Sequence, residues 1–230
     1  MTRRLDRLRR PLLLCLLALC AVSLSAQEIL TANEFFATVA ANYAEIDDYV
    51  ADMVWTDSSG TMRGSLLYKA PAMVRIDFTQ PAKQVFVSNG EMLQIYVPAF
   101  EVVLRQTLDR ATDAPGALAS QEGLALMRRN YSVAYLEGPE PAPLEEGSSL
   151  LVTKLRLDRR QAGAGFSRLV LSIDQNGFIR RIEGTSAGWQ TVIMDLNGIR
   201  INQGISDRVF EEDPAPTASI TDDFLIDPEG

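Results

Sequence analysis

The chain has 230 residues, 47% hydrophobic and 23% charged, which is the composition of a folded protein and excludes disorder as its main state. It carries 22 Lys and Arg against 30 Asp and Glu and contains no histidine. Ser-His-Asp and Cys-His catalysis, histidine-bearing metal sites and an imidazole pH switch are therefore excluded.

The first segment reads as an address. Arg3, Arg4, Arg7, Arg9 and Arg10 precede an apolar run from Leu12 to Leu24, which Ser25 and Ala26 close with small residues. The run is about 13 residues long where a membrane span needs about 20, so it predicts a secretory signal peptide cut after Ala26. The competing reading is a lipid anchor at Cys20, since Leu17-Ala18-Leu19-Cys20 has the outline of a lipobox; the bulk of Leu19 ranks it lower. A twin-arginine signal at Arg3-Arg4 is ranked lower still, because Thr2-Arg3-Arg4-Leu5-Asp6 matches its pattern poorly. Both cysteines, Cys15 and Cys20, fall within this segment. Cleavage leaves 204 residues with 17 basic and 29 acidic side chains, a net charge of −12 and no cysteine. Such a balance disfavours nucleic acid and a permanent hold on anionic membranes, and leaves the fold to be stabilised by core burial alone.

The first element of the remaining chain is predicted to be a helix. Thr31 and Glu34 fit a capping box, and Phe35, Phe36, Val39, Tyr43 and Ile46 recur at helical spacing. From Tyr49 the period becomes two, with Tyr49, Ala51, Met53 and Trp55 on one face of a strand. Turn residues then follow at short intervals, at Ser59-Gly60, Pro71, Pro81, Asn89-Gly90 and Pro98, as in an antiparallel meander. Asn-Gly returns at 176–177 and 197–198, and all three Asn-Gly pairs are expected to close tight hairpins. Asp113, Pro115 and the run 117–129 predict a capped helix ending at Asn130. Residues 138–143 form a stiff, polar connector, and 161–165 a flexible loop. Beyond them Leu151, Thr153, Leu155 and Leu157 are expected to share a dry face, as are Leu169, Leu171 and Ile173. The tail from Pro214 is acidic, with Phe224, Leu225 and Ile226 as an anchor. The pattern gives one sheet of about ten strands in a single domain, residues 27–230.

Catalytic chemistry is scarce. The paired carboxylates Asp47-Asp48, Glu145-Glu146 and Glu211-Glu212-Asp213 read as solvated charge beside turns. No phosphate-binding glycine loop, nucleophile elbow or metal cluster is present in the sequence. The chain reads as a non-enzyme that needs no cofactor. Apolar residues on successive strands are abundant, and periodicity alone allows either a filled core or a concave face that encloses an apolar ligand.

A set of ordered motifs bears on that choice. Gly64 opens a strand that ends Lys69-Ala70-Pro71; Phe78 precedes a short run to Pro81; Val87-Ser88-Asn89-Gly90 leads to Tyr96-Val97-Pro98. In order and spacing these resemble the LolA family of periplasmic carriers of outer-membrane lipoproteins, and with the flanking segments the resemblance covers residues 31–213. It implies a mainly β fold with an α lid: an incomplete, half-open antiparallel β-barrel whose hydrophobic concave face is covered by helices. It also implies a periplasmic monomer that receives acylated lipoproteins from an inner-membrane ABC transporter and passes them to an outer-membrane acceptor. Strand alternation then nominates Met53, Trp55, Leu66, Tyr68, Val74, Ile76, Phe78, Phe86, Leu93 and Ile95, with Tyr43 from the first helix and Leu118 from the lid, as lining of an acyl-chain cavity. Met53, Met73 and Met92 suit adaptable contact with such chains. The sequence departs from the family at Ala70, where an arginine is usual, and at Gly116-Ala117-Leu118-Ala119, where the lid is usually bulkier. Lys69 and Arg75 are the neighbouring cations. The other readings are a LolB-like acceptor or RseB-like regulator of the same fold, and a cell-envelope module without a cavity.

Overall fold

The computed structural model describes residues 30–108, 119–161, 165–212 and 217–222. The leader, Asp113, Pro115, Leu118 and Phe224 to Ile226 lie outside the described residues.

Helix α1 (Ala32–Ala44) starts where the capping box places it: the Thr31 hydroxyl accepts the Glu34 N–H at 3.3 Å, and the Glu34 carboxylate accepts the Thr31 N–H at 2.8 Å. That backbone N–H, then the Thr31 hydroxyl, holds the Glu34 carboxyl below its ordinary pKa. The helix buries Phe36, Val39 and Tyr43.

Among the described residues thirteen strands form one sheet. In chain order they are β1 (Asp48–Asp57), β2 (Gly60–Lys69), β3 (Met73–Gln80), β4 (Val85–Ser88), β5 (Met92–Val97), β6 (Val102–Thr107), β7 (Tyr131–Tyr135), β8 (Ala142–Pro143), β9 (Leu151–Arg159), β10 (Phe166–Asp174), β11 (Ile179–Ser186), β12 (Thr191–Ile201) and β13 (Ser219–Asp222). Their spatial order is β13-β6-β5-β4-β3-β2-β1-β12-β11-β10-β9-β7, with β8 paired to β9 off that path. The two ends of the path, β13 and β7, are not paired with one another, so the barrel stays open. The expectation of about ten strands falls short because two are silent in the sequence. Strand β8 is only two residues long, and all four residues of β13 are exposed, leaving no alternation to read. Strand β13 also runs parallel to β6, so the sheet is not wholly antiparallel.

Three local expectations are corrected. Asn89-Gly90 and Asn176-Gly177 do lie between paired strands, but Asn197-Gly198 lies inside β12. There Val50 and Asp52 of β1 face Arg200 and Asn197, one extra residue on the β12 side, and Gly198 takes φ +58° to absorb it. An Asn-Gly pair supplies the positive φ that a bulge needs as readily as the one a turn needs. Second, helix α2 spans Gln121–Asn130, capped by Ser120, whose hydroxyl accepts the Gly123 N–H at 3.0 Å. It begins later than residue 117 because a nearer hydroxyl takes the cap, and it ends as Tyr131 turns extended to pair with Arg159. Third, Leu151 is exposed while Val152 is buried, at the point where the end of the connector pairs with β9 as β8. From Thr153 onward the alternation holds.

Gly64 explains one of the motifs. The β2–β3 register shifts between Arg63 and Gly64, bringing Asp77 so near that a Cβ at Gly64 would lie 2.5 Å from its carbonyl oxygen. Pro71 and Pro81 both follow cis peptide bonds. The core lies on one face of the sheet, where Phe36, Val39 and Tyr43 of α1 and Leu124 and Met127 of α2 join Tyr49, Leu66, Leu155, Leu171 and Leu196. A 3-10 turn at Asp207–Phe210 packs against β3.

Candidate functional site

The period-two pattern of β1 to β5 builds an apolar groove. Met53 and Trp55 of β1, Met62 of β2, Ile76 and Phe78 of β3, Phe86 of β4, Ile95 of β5 and Gln84 from the β3–β4 turn line a cavity of about 220 Å³. Direct cross-strand pairing stacks Ile76, Phe86 and Ile95 in one row and sets Trp55 opposite Met62. Gln84 is the one polar side chain in this lining; the Trp55 indole N–H is satisfied by the Asp57 carboxylate at 3.0 Å. That carboxylate also accepts from Ser59, and the Ser59 hydroxyl, followed by Trp55, pulls the Asp57 pKa down to about 2.

Six of the twelve nominated residues thus come together: Met53, Trp55, Ile76, Phe78, Phe86 and Ile95. Tyr43, Leu66, Tyr68, Val74 and Leu93 are buried in the core and do not line the groove. Leu118 is outside the described residues. Met62 was missed, although stepping back by two from Leu66 and Gly64 reaches it. Gln84 carries no hydrophobic signal and owes its place to the turn.

The helical cover is tied to the sheet by phenols. Tyr49 donates to the Ala119 carbonyl at 3.0 Å, just ahead of α2, and the Tyr68 hydroxyl lies 3.0 Å from the Pro71 carbonyl and 3.2 Å from Glu122 in the first turn of α2. The two rings pack with centroids 5.2 Å apart. Tyr43 of α1 accepts the Ile179 N–H at 3.1 Å. Neither cation near Ala70 reaches α2. Lys69 bonds the Ile205 carbonyl at 2.6 Å and Asp207 at 2.5 Å; Arg75 pairs with Asp77 and, at 2.7 Å, with Glu212. Alternation sends Arg75 to the opposite face from Val74 and Ile76, so a charge there cannot replace an arginine that faces the cover.

Burial raises the pKa of Tyr43 and Tyr49, and burial followed by the Glu122 charge raises that of Tyr68. An unfolded phenol ionises near pH 10, so the raised folded values give stability that is complete below pH 10 and is lost as pH climbs above it. Tyrosinate absorbance in an alkaline titration should therefore show at least these three tyrosines silent through pH 10 and ionising only together with the loss of folded circular dichroism; burial also raises the pKa of Tyr131 and Tyr135. Ionisation of all six near pH 10 in a folded protein would contradict this.

Two carboxylates read as solvated are not. Asp48 is 3% exposed and accepts the backbone N–H groups of Gln203, Gly204 and Ile205 at 2.6, 2.9 and 2.9 Å. Glu212 likewise is half-buried against Arg75, and an acidic pair beside a turn carries no sign of either arrangement.

The family model described as outer membrane lipoprotein carrier protein LolA matches residues 50–213. Outer-membrane lipoprotein carrier proteins of Pseudomonas paraeruginosa and Pseudomonas aeruginosa are 34% identical over 87 residues, which is 36% of this chain and 41% of theirs. The matched stretch is thus under half the length of these relatives. Among solved structures, an uncharacterized conserved protein from Thermus thermophilus aligns with a TM-score of 0.53 at 9% identity, covering 81% of this chain and 96% of its own, a likeness of fold. A LolA superfamily protein from Nitrosomonas europaea aligns over 80% of this chain and 98% of its own, with a TM-score of 0.41 at 11% identity.

Proposed function

We propose, since this chain belongs to the LolA family of outer membrane lipoprotein carrier proteins, that its groove takes the acyl chains of lipoproteins and shields them from water in the periplasm. The observation that carries this reading is the groove itself, apolar but for Gln84 and continuous with the core beneath the helices. On this reading residues 27–230 are a single exported domain, freed from its signal peptide, that acts as a monomeric carrier and performs no catalysis. Its cargo comes from an inner-membrane ABC transporter of the Lol type and goes to an outer-membrane acceptor.

The energetics define the task. About 0.8 kcal/mol per methylene holds a sixteen-carbon chain in a bilayer by about 12 kcal/mol, so a carrier must offer comparable apolar cover. A cavity of about 220 Å³ is below the roughly 300–1,000 Å³ usual for small-molecule sites. A whole chain therefore needs room beyond the groove, and the adjoining core residues Leu66, Val74 and Leu93 are the surface it would meet. Met53 and Met62, flexible at three torsions, let the lining adjust without a fixed polar clamp.

The test is displacement of a fluorescent apolar probe from residues 27–230 by a synthetic triacylated lipopeptide, with the unacylated peptide as control. Saturable displacement that requires the acyl chains is expected. Its absence from a folded protein would reduce the groove to part of the core.

A further inference from the structure

We propose that one rim of the sheet docks reversibly on a lipid surface rich in anionic headgroups. Antiparallel pairing brings the β1–β2, β3–β4, β5–β6, β9–β10 and β11–β12 reversals to the same rim. Helix α2 ends there too, because Tyr131, which follows it, faces Arg159 at the end of β9. The two most exposed large hydrophobic side chains among the described residues, Trp189 at 86% and Phe100 at 77%, both stand on these reversals.

The position of Trp189 is built. Its N–H donates to the Ser186 carbonyl at 3.1 Å, the Ser186 N–H donates to the Gln190 carbonyl at 2.9 Å, and the Ser167 hydroxyl of the neighbouring strand also reaches the Ser186 carbonyl at 3.2 Å. The turn is thus braced from two strands while the indole projects outward. Indoles favour the headgroup level of a bilayer, where the ring is half-desolvated and the N–H stays wet.

Charge points the same way. Arg129, Arg159 and Arg160, with Asn130 and Gln161, line a cleft of about 350 Å³ on this rim, and Lys83, Arg128 and Arg168 stand on it as well. Its carboxylates among the described residues are Asp57, Glu101 and Asp158; Asp57 is held by Trp55 and Ser59, and Asp158 by Arg156 and Arg168. The opposite rim carries Asp47 and the run with Glu137, Glu140, Glu145 and Glu146. A net charge of −12 argues against membrane contact only if it is evenly spread, and on this rim six cations face three carboxylates, two of which are already held by neighbouring side chains. Each arginine near an anionic bilayer raises affinity about fivefold. Trp55, Met62, Phe78 and Gln84 of the groove lie toward this same rim, so docking would aim the groove at the bilayer. The inference goes beyond the carrier reading, because the rim can dock whatever the groove holds.

Sedimentation of the chain from Gln27 onward with vesicles tests it. The protein should pellet at low salt with phosphatidylcholine vesicles that contain phosphatidylglycerol, and not with phosphatidylcholine alone. Trp189→Ala should weaken binding roughly tenfold, and the double change Arg128→Ser, Arg129→Ser about twentyfold. Both variants should keep the melting temperature and the lipopeptide displacement of the parent, which separates docking from cargo binding. No pelleting with anionic vesicles would overturn the proposal and leave the rim to a protein partner; pelleting that neither variant weakens would overturn it as well.

Discussion

Phe78→Asp should lower lipopeptide affinity at least about a hundredfold and leave a folded protein. Phe78 is half-buried at the open part of the groove, on the same face of β3 as Ile76, which is 5% exposed. A carboxylate at position 78 can stay hydrated while the groove is empty, so folding is spared much of the cost. Once an acyl chain enters, the charge must share an apolar, water-excluded space, and desolvating it without a partner costs several kcal/mol. A loss of about 2.7 kcal/mol is already a hundredfold. Ile76→Asp is the less informative change, because burying the charge would unfold the sheet before binding could be measured. Probe displacement together with far-ultraviolet circular dichroism decides the matter: a folded Phe78→Asp protein that binds normally removes this residue from the site.

The largest expected effect on stability lies on the other side of the molecule, at Asp48→Ala. Its carboxylate gathers three backbone N–H groups from residues 203–205, and the Asp48 carbonyl accepts a fourth from Asn202 at 2.7 Å. Hydrogen bonds to a charged acceptor are each worth about 1.5–3 kcal/mol, so losing the carboxylate should cost about 3 kcal/mol or more even after water fills part of the gap. The segment it anchors carries Ile205 and Asp207, the partners of Lys69, and leads to Phe210, which is 3% exposed. Denaturant unfolding of Asp48→Ala should therefore show a lower midpoint, and Asp48→Asn a smaller drop, since an amide retains one acceptor oxygen. A midpoint unchanged within 1 kcal/mol would mean that this connection is dispensable.

Much of the architecture was legible because it rests on periodicity. Thr31 with Glu34 located the first helix, and the alternation from Tyr49 to Trp55 located β1 and its buried face. Half of the nominated lining follows from the same rule, because Met53, Trp55, Ile76, Phe78, Phe86 and Ile95 differ from their neighbours only in which way they point. The rest turned on contacts that a local pattern does not encode. Whether Leu66 or Val74 meets a cavity or a helix depends on where α1 and α2 come to rest, many residues away in the chain. Asn197-Gly198 shows the same limit: the dipeptide specifies a backbone conformation, and the pairing partner decides whether that conformation becomes a turn or a bulge. The tyrosine ties at 49 and 68 were hidden because their value lies in a hydroxyl at the tip of a side chain that hydrophobic pattern counts as apolar.

A sheet left open so that its concave face stays reachable also leaves two lengthwise edges, each a row of backbone groups onto which another chain can zip. The strands at these edges are β13 and β7. On one side β13 lies along β6, matching Ile220 to Val103 and Thr221 to Leu104. On the other, Phe35 of α1 packs on Tyr135 of β7 with ring centroids 6.1 Å apart, the Tyr135 hydroxyl donates to Leu30, and the Arg160 guanidinium caps the Tyr131 carbonyl at 3.0 Å. The outermost described segments of the chain thus trim both margins: a strand of only four residues shortens the edge that β6 would otherwise present along its whole length, and the helix that begins the described fold lies against β7.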